Sequence, residues 1–398
     1  MNILFIFPGI LEALTKRGGG REDRLLQVAR KLSNSFNVTI IAPFFGKYKK
    51  VVKLSSNLTV EELYFPASKN YPWSKNKLSS IANPLSIFLF YQVIAVIKTI
   101  QLKKNALRIV VLSDMLSGII AAIVAKLLNM KVVYYEGNLT PWIEPRISNG
   151  NNVNFVKQVW WAFTIIIGRM ICKIADATIV NDGLIKAGMI KYGLKNTEIH
   201  IVRGGVDTSV FKPIELSVSQ QTEFTVGFIG RLTEEKGSPI LLKLCKAALN
   251  KLPQVKFMIF GDGPYKKYFE TLPNVKHIGW VDHNTLPKWL SFVNAILSFQ
   301  KTFGKGEIEA FSCGKPIIAF KIGEMPILIK DKENGLLCTP CIDSLIEAIS
   351  KLMNNESLLK RLSENARREA ITRYDWKIVG RLWKNIIEYV LKSEARLT

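Results

Sequence analysis

The stretch TVGFIGRLTEEKG (225–237) runs from five mostly apolar residues into a glycine, a charged turn and a second glycine. A short apolar run closed by glycine suits a buried strand of a parallel sheet, and the charged turn suits the start of a helix. The alternation continues outward with KFMIF (256–260), KHIG (276–279), AILS (295–298) and PIIA (316–319), separated by segments that suit helices. Strands alternating with helices predict a parallel α/β domain.

The residues upstream repeat this grammar. Strand candidates are NILFIF (2–7), VTIIA (38–42), IVVLS (109–113), VVYY (132–135), ATIV (177–180) and IHIV (199–202). Between the first two, Leu25, Leu26, Val28, Ala29 and Leu32 recur at helical spacing with polar residues on the other face. GGVDTSVFKPIELSVSQQTE, rich in turn and polar residues, reads as a linker between the two series. The expected division is a first domain over 1–216, a second over 217–375, and an amphipathic helix, WKIVGRLWKNIIEYVLK, opening a closing segment over 376–398.

A length of 398 residues agrees with that division, at a prior of about 150 residues per domain. Apolar residues make up 48% and charged residues 22%, which excludes a mainly disordered, collagenous or coiled-coil chain. The most apolar uncharged run, Leu78–Ile97, contains Asn83, Pro84, Gln92 and three serines, and reads as interfacial or core and not as a membrane span. MNILFIFPGI lacks the basic start and small-residue cleavage site of a signal peptide, so a cytosolic location, peripheral on the membrane, is expected. Five cysteines, with Cys338 and Cys341 in a lone CTPC, read as idle thiols, because no second Cys/His pair completes a metal site.

Charge is uneven. Lys and Arg number 55 against 32 Asp and Glu, a formal +23, and residues 1–205 hold 27 of the basic and 11 of the acidic residues. Nucleic acid is the first partner such a charge suggests, but no zinc-finger spacing, RRM-like aromatic signature or basic-region heptad accompanies it. An anionic membrane facing the basic, aromatic-rich first domain is the expected partner instead.

In a doubly wound domain ligands bind beyond the carboxyl ends of the strands, so the loops there carry the candidate chemistry. Gly18, Gly19 and Gly20 follow the first strand and precede a helix. Their backbone N–H groups suit a phosphate or sugar, and a plain flexible loop explains the triple glycine equally well. The spacing matches neither a dinucleotide fingerprint nor a P-loop. Arg231 and Lys236 flank a predicted helix start, where a guanidinium and an ammonium suit a diphosphate; solvated surface charges are the alternative. Gly304 and Gly306 precede Glu307 and Glu309 on a short helix, where a carboxylate suits ribose hydroxyls or simply the helix dipole. His200, His277 and His283 are expected in structural or surface roles. Asp114 suits a helix N-cap or a cleft position, and Trp160 and Trp161 suit core or membrane.

The ordered set GGGRE, IADATIVND, GGVDTSVFKP, FIGRLTEEKG, FGDGP, FGKGEIEAFSCGKPIIA and ENGLL resembles the GT-B glycosyltransferases, in particular the large retaining family 4, over residues 1 to about 376. The resemblance implies two facing Rossmann-like domains with the last helix crossing back to the first. It implies a nucleotide-sugar donor held mostly by the second domain and a glycan or lipid-linked acceptor held by the first, with neither metal nor cofactor. Carried over by position, Arg231 and Lys236 take the diphosphate, Glu309 takes the ribose, and Gly18–Gly20 close over the phosphate. Gly230, Gly261, Gly263 and the segment Gly279–Val281 frame the nucleotide, and Val281 lies beside the base.

Two positions depart from the family pattern. Lys301 stands where the first of two glutamates is usual, and Glu136 stands where many members have histidine. The departures suggest that Lys301 meets an acidic donor sugar and that Glu136 is a polar partner of a sugar or acceptor hydroxyl. The expected function is retaining transfer of a sugar from a nucleoside diphosphate to an acceptor hydroxyl. The alternative is a catalytically impaired GT-B protein that binds a sugar nucleotide as a partner or regulatory subunit.

Overall fold

The computed structural model describes residues 1–6, 20–44, 50–64, 92–104, 106–113, 118–137, 142, 155–194, 199–214 and 223–392. The chain divides into two compact units, Met1–Arg203 with Val379–Thr398, and Gly204–Ile378.

The first unit is built on a sheet of β1 (Asn2–Ile6), β2 (Asn37–Phe44), β3 (Lys50–Ser55), β4 (Leu58–Tyr64), β5 (Leu107–Leu112), β6 (Lys131–Glu136), β7 (Ala177–Val180) and β8 (Ile199–Ile201). Its order is β3-β4-β2-β1-β5-β6-β7-β8, parallel throughout except for the antiparallel pairing of β3 with β4. Helices α1 (Gly20–Leu32), α2 (92–103), α3 (Ile119–Leu127), α4 (Phe155–Ile174) and α5 (Gly183–Lys191) connect the strands. Strand alternation sorts neighbouring side chains to opposite faces. Tyr134 joins the core under α3, α4 and α5, while Tyr135 turns the other way and meets Trp383, with ring centroids 5.4 Å apart. Arg24 of α1 donates to the Tyr135 hydroxyl at 2.9 Å on that second face.

In the second unit β9 (Phe224–Ile229), β10 (Val255–Phe260), β11 (Val275–Gly279), β12 (Ala295–Ser298), β13 (Ile317–Phe320) and β14 (Gly335–Cys338) form a parallel sheet in the order β11-β10-β9-β12-β13-β14. This is the doubly wound order, with its reversal between β9 and β12. Helices α6 (Ser238–Lys251), α7 (Lys305–Ser312), α8 (Ile342–Met353) and α9 (Glu356–Glu369) pack on it, and α10 (Trp376–Lys392) closes the chain. Val226, Phe228, Phe257, Ile259 and Leu297 fill the core on the side of α6 and α8.

The expected strands occur within one or two residues of their predicted bounds, and two features were not anticipated. The β3–β4 hairpin, with β3 at the edge of the sheet, reads poorly because its strands mix Lys and Glu with the apolar residues. Strand β14 is only four residues, too short to carry a pattern.

The expected boundary near Ser217 moves upstream. Val206 N–H donates to Tyr374 O at 2.8 Å and Trp376 N–H donates to Val206 O at 3.1 Å. Arg367 of α9 donates to the carbonyls of Thr208 (2.9 Å) and Phe211 (2.7 Å), and Phe211 is buried. Residues 204–211 therefore belong to the second unit despite their turn-rich composition. The split in the last helix comes at Val379, three residues past the expected Trp376, and the helix from there on belongs with the first unit.

Candidate functional site

At the carboxyl end of the second sheet three loops are tied together through their backbones. Gly230 N–H donates to Phe260 O at 2.9 Å, Leu232 N–H to Asp262 O at 2.8 Å, and Gly261 N–H to Gly279 O at 2.7 Å. Gly261 (φ +138°) and Gly263 (φ +154°) occupy left-handed space, and a Cβ on Gly261 would lie 2.0 Å from Gly230 O. Only glycine permits that approach. Val281 follows on from Gly279 and is half-buried.

Arg231 and Lys236 stand on the loop leaving β9. Arg231 is 70% exposed and pairs with Glu235 at 2.6 Å, so its guanidinium sits in water with a partner that an anion can displace at little cost. Lys236 Nζ donates to Gln300 Oε1 at 3.0 Å, which ties the loop after β9 to the loop after β12 across the reversal of the sheet. The two cations predicted from sequence therefore share one loop at the switch point. Gln300, which joins them to the neighbouring strand, escaped the sequence reading because a lone glutamine carries no motif.

Helix α7 begins beside them. A Cβ on Gly306 would come within 2.9 Å of Ile229, so its first turn packs closely against the end of β9. The two glutamates of this helix have separate partners. Glu307 accepts from Ser298 Oγ at 2.7 Å and from Gly304 N–H at 3.0 Å, half of a capping box, and is buried. The side chain expected among the donor-binding residues thus caps the first turn of its own helix. Glu309, 4% exposed at its side chain, faces His283 Nε2 at 2.5 Å and Lys305 Nζ at 3.8 Å. His283 also lies against the Phe211 ring, centroids 4.8 Å apart, so a histidine expected to be structural or superficial abuts the carboxylate expected to hold ribose. His277 Nε2 lies 2.9 Å from Gly261 O and supports the glycine turn.

Lys301 is exposed, and its carbonyl accepts from Glu324 N–H at 2.7 Å, which fixes the backbone and leaves the ammonium outward. Trp280, 72% exposed between Gly279 and Val281, was not singled out by sequence; an exposed tryptophan beyond a strand end is the signal that marks it.

In the first unit Glu136 ends β6 and is 3% exposed, accepting from Tyr134 Oη at 2.6 Å and Trp142 Nε1 at 3.3 Å. The side chain expected to meet a sugar is thus closed off by its own unit. Gly18 and Gly19 lie outside the described residues, as do Asp114 and the side chain of Trp160; Gly20 opens α1. Trp161 is half-buried, edge-on to Tyr192 at 5.8 Å.

Cys338 is buried at the end of β14 and Cys341 is the exposed N-cap of α8, so the CTPC is a strand-to-helix turn with two free thiols. Burial pushes the Cys338 and Cys313 thiols up to about 12. Hydrogen bonds from Ser344 and Thr339 hold Cys341 below the usual thiol value. Among the described residues no group of three or more His, Cys, Asp or Glu has the arrangement of a metal site.

Lys315, in the turn after α7, is lowered to about 8, chiefly by burial. Between about pH 8 and 10.5 the unfolded chain holds a proton there that the folded chain has lost, so this group makes stability rise with pH across that window. Lys315→Met is expected to remove that rise, seen as a flatter urea midpoint against pH than in the parent, and an unchanged slope would refute it.

A cavity of about 260 Å³ lined by Thr225, Lys256, Met258 and Val275 lies at the amino ends of β9–β11, the opposite edge from these loops. Ligands of doubly wound sheets bind at the carboxyl edge, so the loop cluster is the candidate site.

Residues 214–369, within the second unit, match the family model for glycosyl transferases group 1. The chain as a whole has the GT-B fold. It superposes on sucrose-phosphate synthase from Thermosynechococcus elongatus with a TM-score of 0.75 at 17% identity, covering 99% of this chain and 100% of that one. Anabaena HepE, solved in complex with UDP, superposes at 0.70 and 18% identity, over 98% and 100% of the two chains. In sequence, 276 residues are 27% identical to the sulfoquinovosyl transferase SQD2 of Arabidopsis thaliana, 65% of this chain and 51% of that protein. The chain spans about half the length of curated relatives it matches.

Proposed function

We propose that the protein is a glycosyltransferase that moves a sugar from a nucleoside diphosphate to the hydroxyl of a glycan or lipid-linked acceptor, with retention and without a metal. The observation that carries this is the placement of Arg231 and Lys236 on one loop at the sheet reversal, beside the locked turns of Gly230, Gly261 and Gly263. Two cations and close-approaching backbone are what a departing diphosphate needs. In the front-face reaction the acceptor oxygen bonds to the anomeric carbon while the bond to the diphosphate breaks on the same side. The acceptor proton passes to the leaving phosphate oxygen, and Arg231 and Lys236 offset the growing negative charge. Glu309, handed over from His283, receives the ribose hydroxyls, and Trp280 and Val281 border the base.

HepE, solved with UDP and with UDP-glucose, supports a donor of this type. Lys301 suits an acidic sugar, a reading that a relative named as a sulfoquinovosyl transferase supports. Calorimetric titration of the full chain with UDP, GDP, ADP and matched neutral and acidic nucleotide sugars tests both parts. Binding of one diphosphate with an acidic sugar preferred is expected. Silence toward all three diphosphates would refute the donor site, and preference for the neutral sugar would refute the role of Lys301. The non-catalytic reading is favoured by Lys301 and by the enclosed Glu136. Release of free or transferred sugar from the bound donor, unchanged by EDTA, separates the two.

A further inference from the structure

The first unit turns an apolar surface outward. Helices α2 and α3 adjoin, with Lys103 Nζ donating to Leu128 O at 2.7 Å and Ile120 N–H to Gln92 Oε1 at 3.2 Å, and α3 packs beside α4. Each helix buries one side on the sheet, through Ala95, Ala121, Ala125 and Ile171 among others. The opposite sides are apolar as well. Along α4 Val159, Phe163, Ile166 and Met170 are exposed at spacings of four, three and four, and Ile166 is 57% open to solvent. On α3 Ile120, Ile123 and Leu127 form a second exposed stripe, Leu127 at 78%. On α2 Val93, Ile97 and Ile100 form a third. A helix that is apolar all round belongs in a core or against another apolar phase, and exposed patches of this extent mark interaction surfaces.

We propose that α2, α3 and α4 form the face by which this protein lies on an anionic lipid bilayer. Charge selects this occupant. The three helices carry Lys98, Lys103, Lys126, Lys157, Arg169 and Lys173 and not one Asp or Glu; Lys98 pairs with Glu61 and Lys126 with Asp176, so the net positive excess rests on the other four. Apolar stripes bordered by cations are the composition of surfaces that sit at the headgroup boundary of negatively charged membranes. A second copy docked face to face would set these cations against their own kind, which association disfavours. Among the described residues no helix is long and apolar enough to cross a membrane, so the contact is a surface one. It deepens the reading of a lipid-linked acceptor, yet vesicle binding requires no nucleotide and donor titration requires no membrane, so failure of one is separable from failure of the other.

The test is co-sedimentation of the full chain with vesicles of phosphatidylcholine alone and of phosphatidylcholine mixed with phosphatidylglycerol. The parent is expected to bind the mixed vesicles, less so as salt rises. The pair Ile123→Glu and Ile166→Glu is expected to weaken binding at least about tenfold. Val51→Glu, at an equally exposed valine on β3, is expected to leave it unchanged. A bimane fluorophore on Ile166→Cys, in a Cys341→Ser background, reports the same contact without a charge and is expected to shift to the blue with mixed vesicles. No binding by the parent, undiminished binding by the glutamate pair, or no spectral shift would overturn the proposal. So would a parent dimer in sedimentation velocity that the glutamate pair dissociates without any vesicle binding.

Discussion

Lys236→Ala is expected to reduce kcat/KM of sugar transfer roughly 10²- to 10³-fold, the loss seen when one preorganised donor to a developing anion is removed. Lys236 is half-buried and its ammonium is already aimed by Gln300, so little reorganisation precedes the reaction. Arg231 is more exposed and is paired with Glu235, so Arg231→Ala is expected to cost less. Rescue should differ too. Lys236→Arg overfills a site matched to an ammonium, whereas Arg231→Lys keeps the charge on an open surface. Donor titration and steady-state kinetics of the four single variants check the order. Equal losses for Lys236→Ala and Arg231→Ala would mean that the Gln300 contact confers nothing.

Gly261→Ala is expected to produce the largest loss of stability of any single methyl added to this unit. The new Cβ would lie 2.0 Å from Gly230 O, on a residue at φ +138°, so both neighbouring turns must move. Strain and overpacking together amount to about 2–5 kcal/mol. Gly279→Ala is the control: at φ +80° it is strained, but its Cβ would meet only His277, at 3.9 Å. Chemical denaturation should rank Gly261→Ala well below Gly279→Ala. Because Gly261 and Gly230 build the same cradle, nucleotide affinity should fall with Gly261→Ala even where the protein remains folded. Similar midpoints for the two variants would refute the close approach.

Much of the architecture is legible in the chain because buried parallel strands announce themselves. IVVL, VVYY and ATIV are covered on both faces, so they contain no alternation to mistake and few polar residues to blur the bounds. The β3–β4 hairpin is obscure for the opposite reason: strands with Lys and Glu among their apolar residues do not differ from a loop in composition. Residues 204–211 read as a linker since Gly, Asp, Thr and Ser are turn formers, and what makes them part of the second unit is a guanidinium some 150 positions away, on α9.

Local sequence determined the order of elements, the cations at 231 and 236 and the glycines that let backbones approach, because each depends on residue type within a few positions. Tertiary structure alone decided which carboxylate does what. Glu307 and Glu309 lie two residues apart on one helix, yet one caps its first turn and accepts from Ser298 while the other faces His283. Glu136, an open candidate in sequence, is enclosed by Tyr134 and Trp142. The same holds for the outward stripes of α2, α3 and α4, whose composition is that of a buried helix. A side chain's type is written in the sequence; its exposure and its partner are set by residues that only folding brings near.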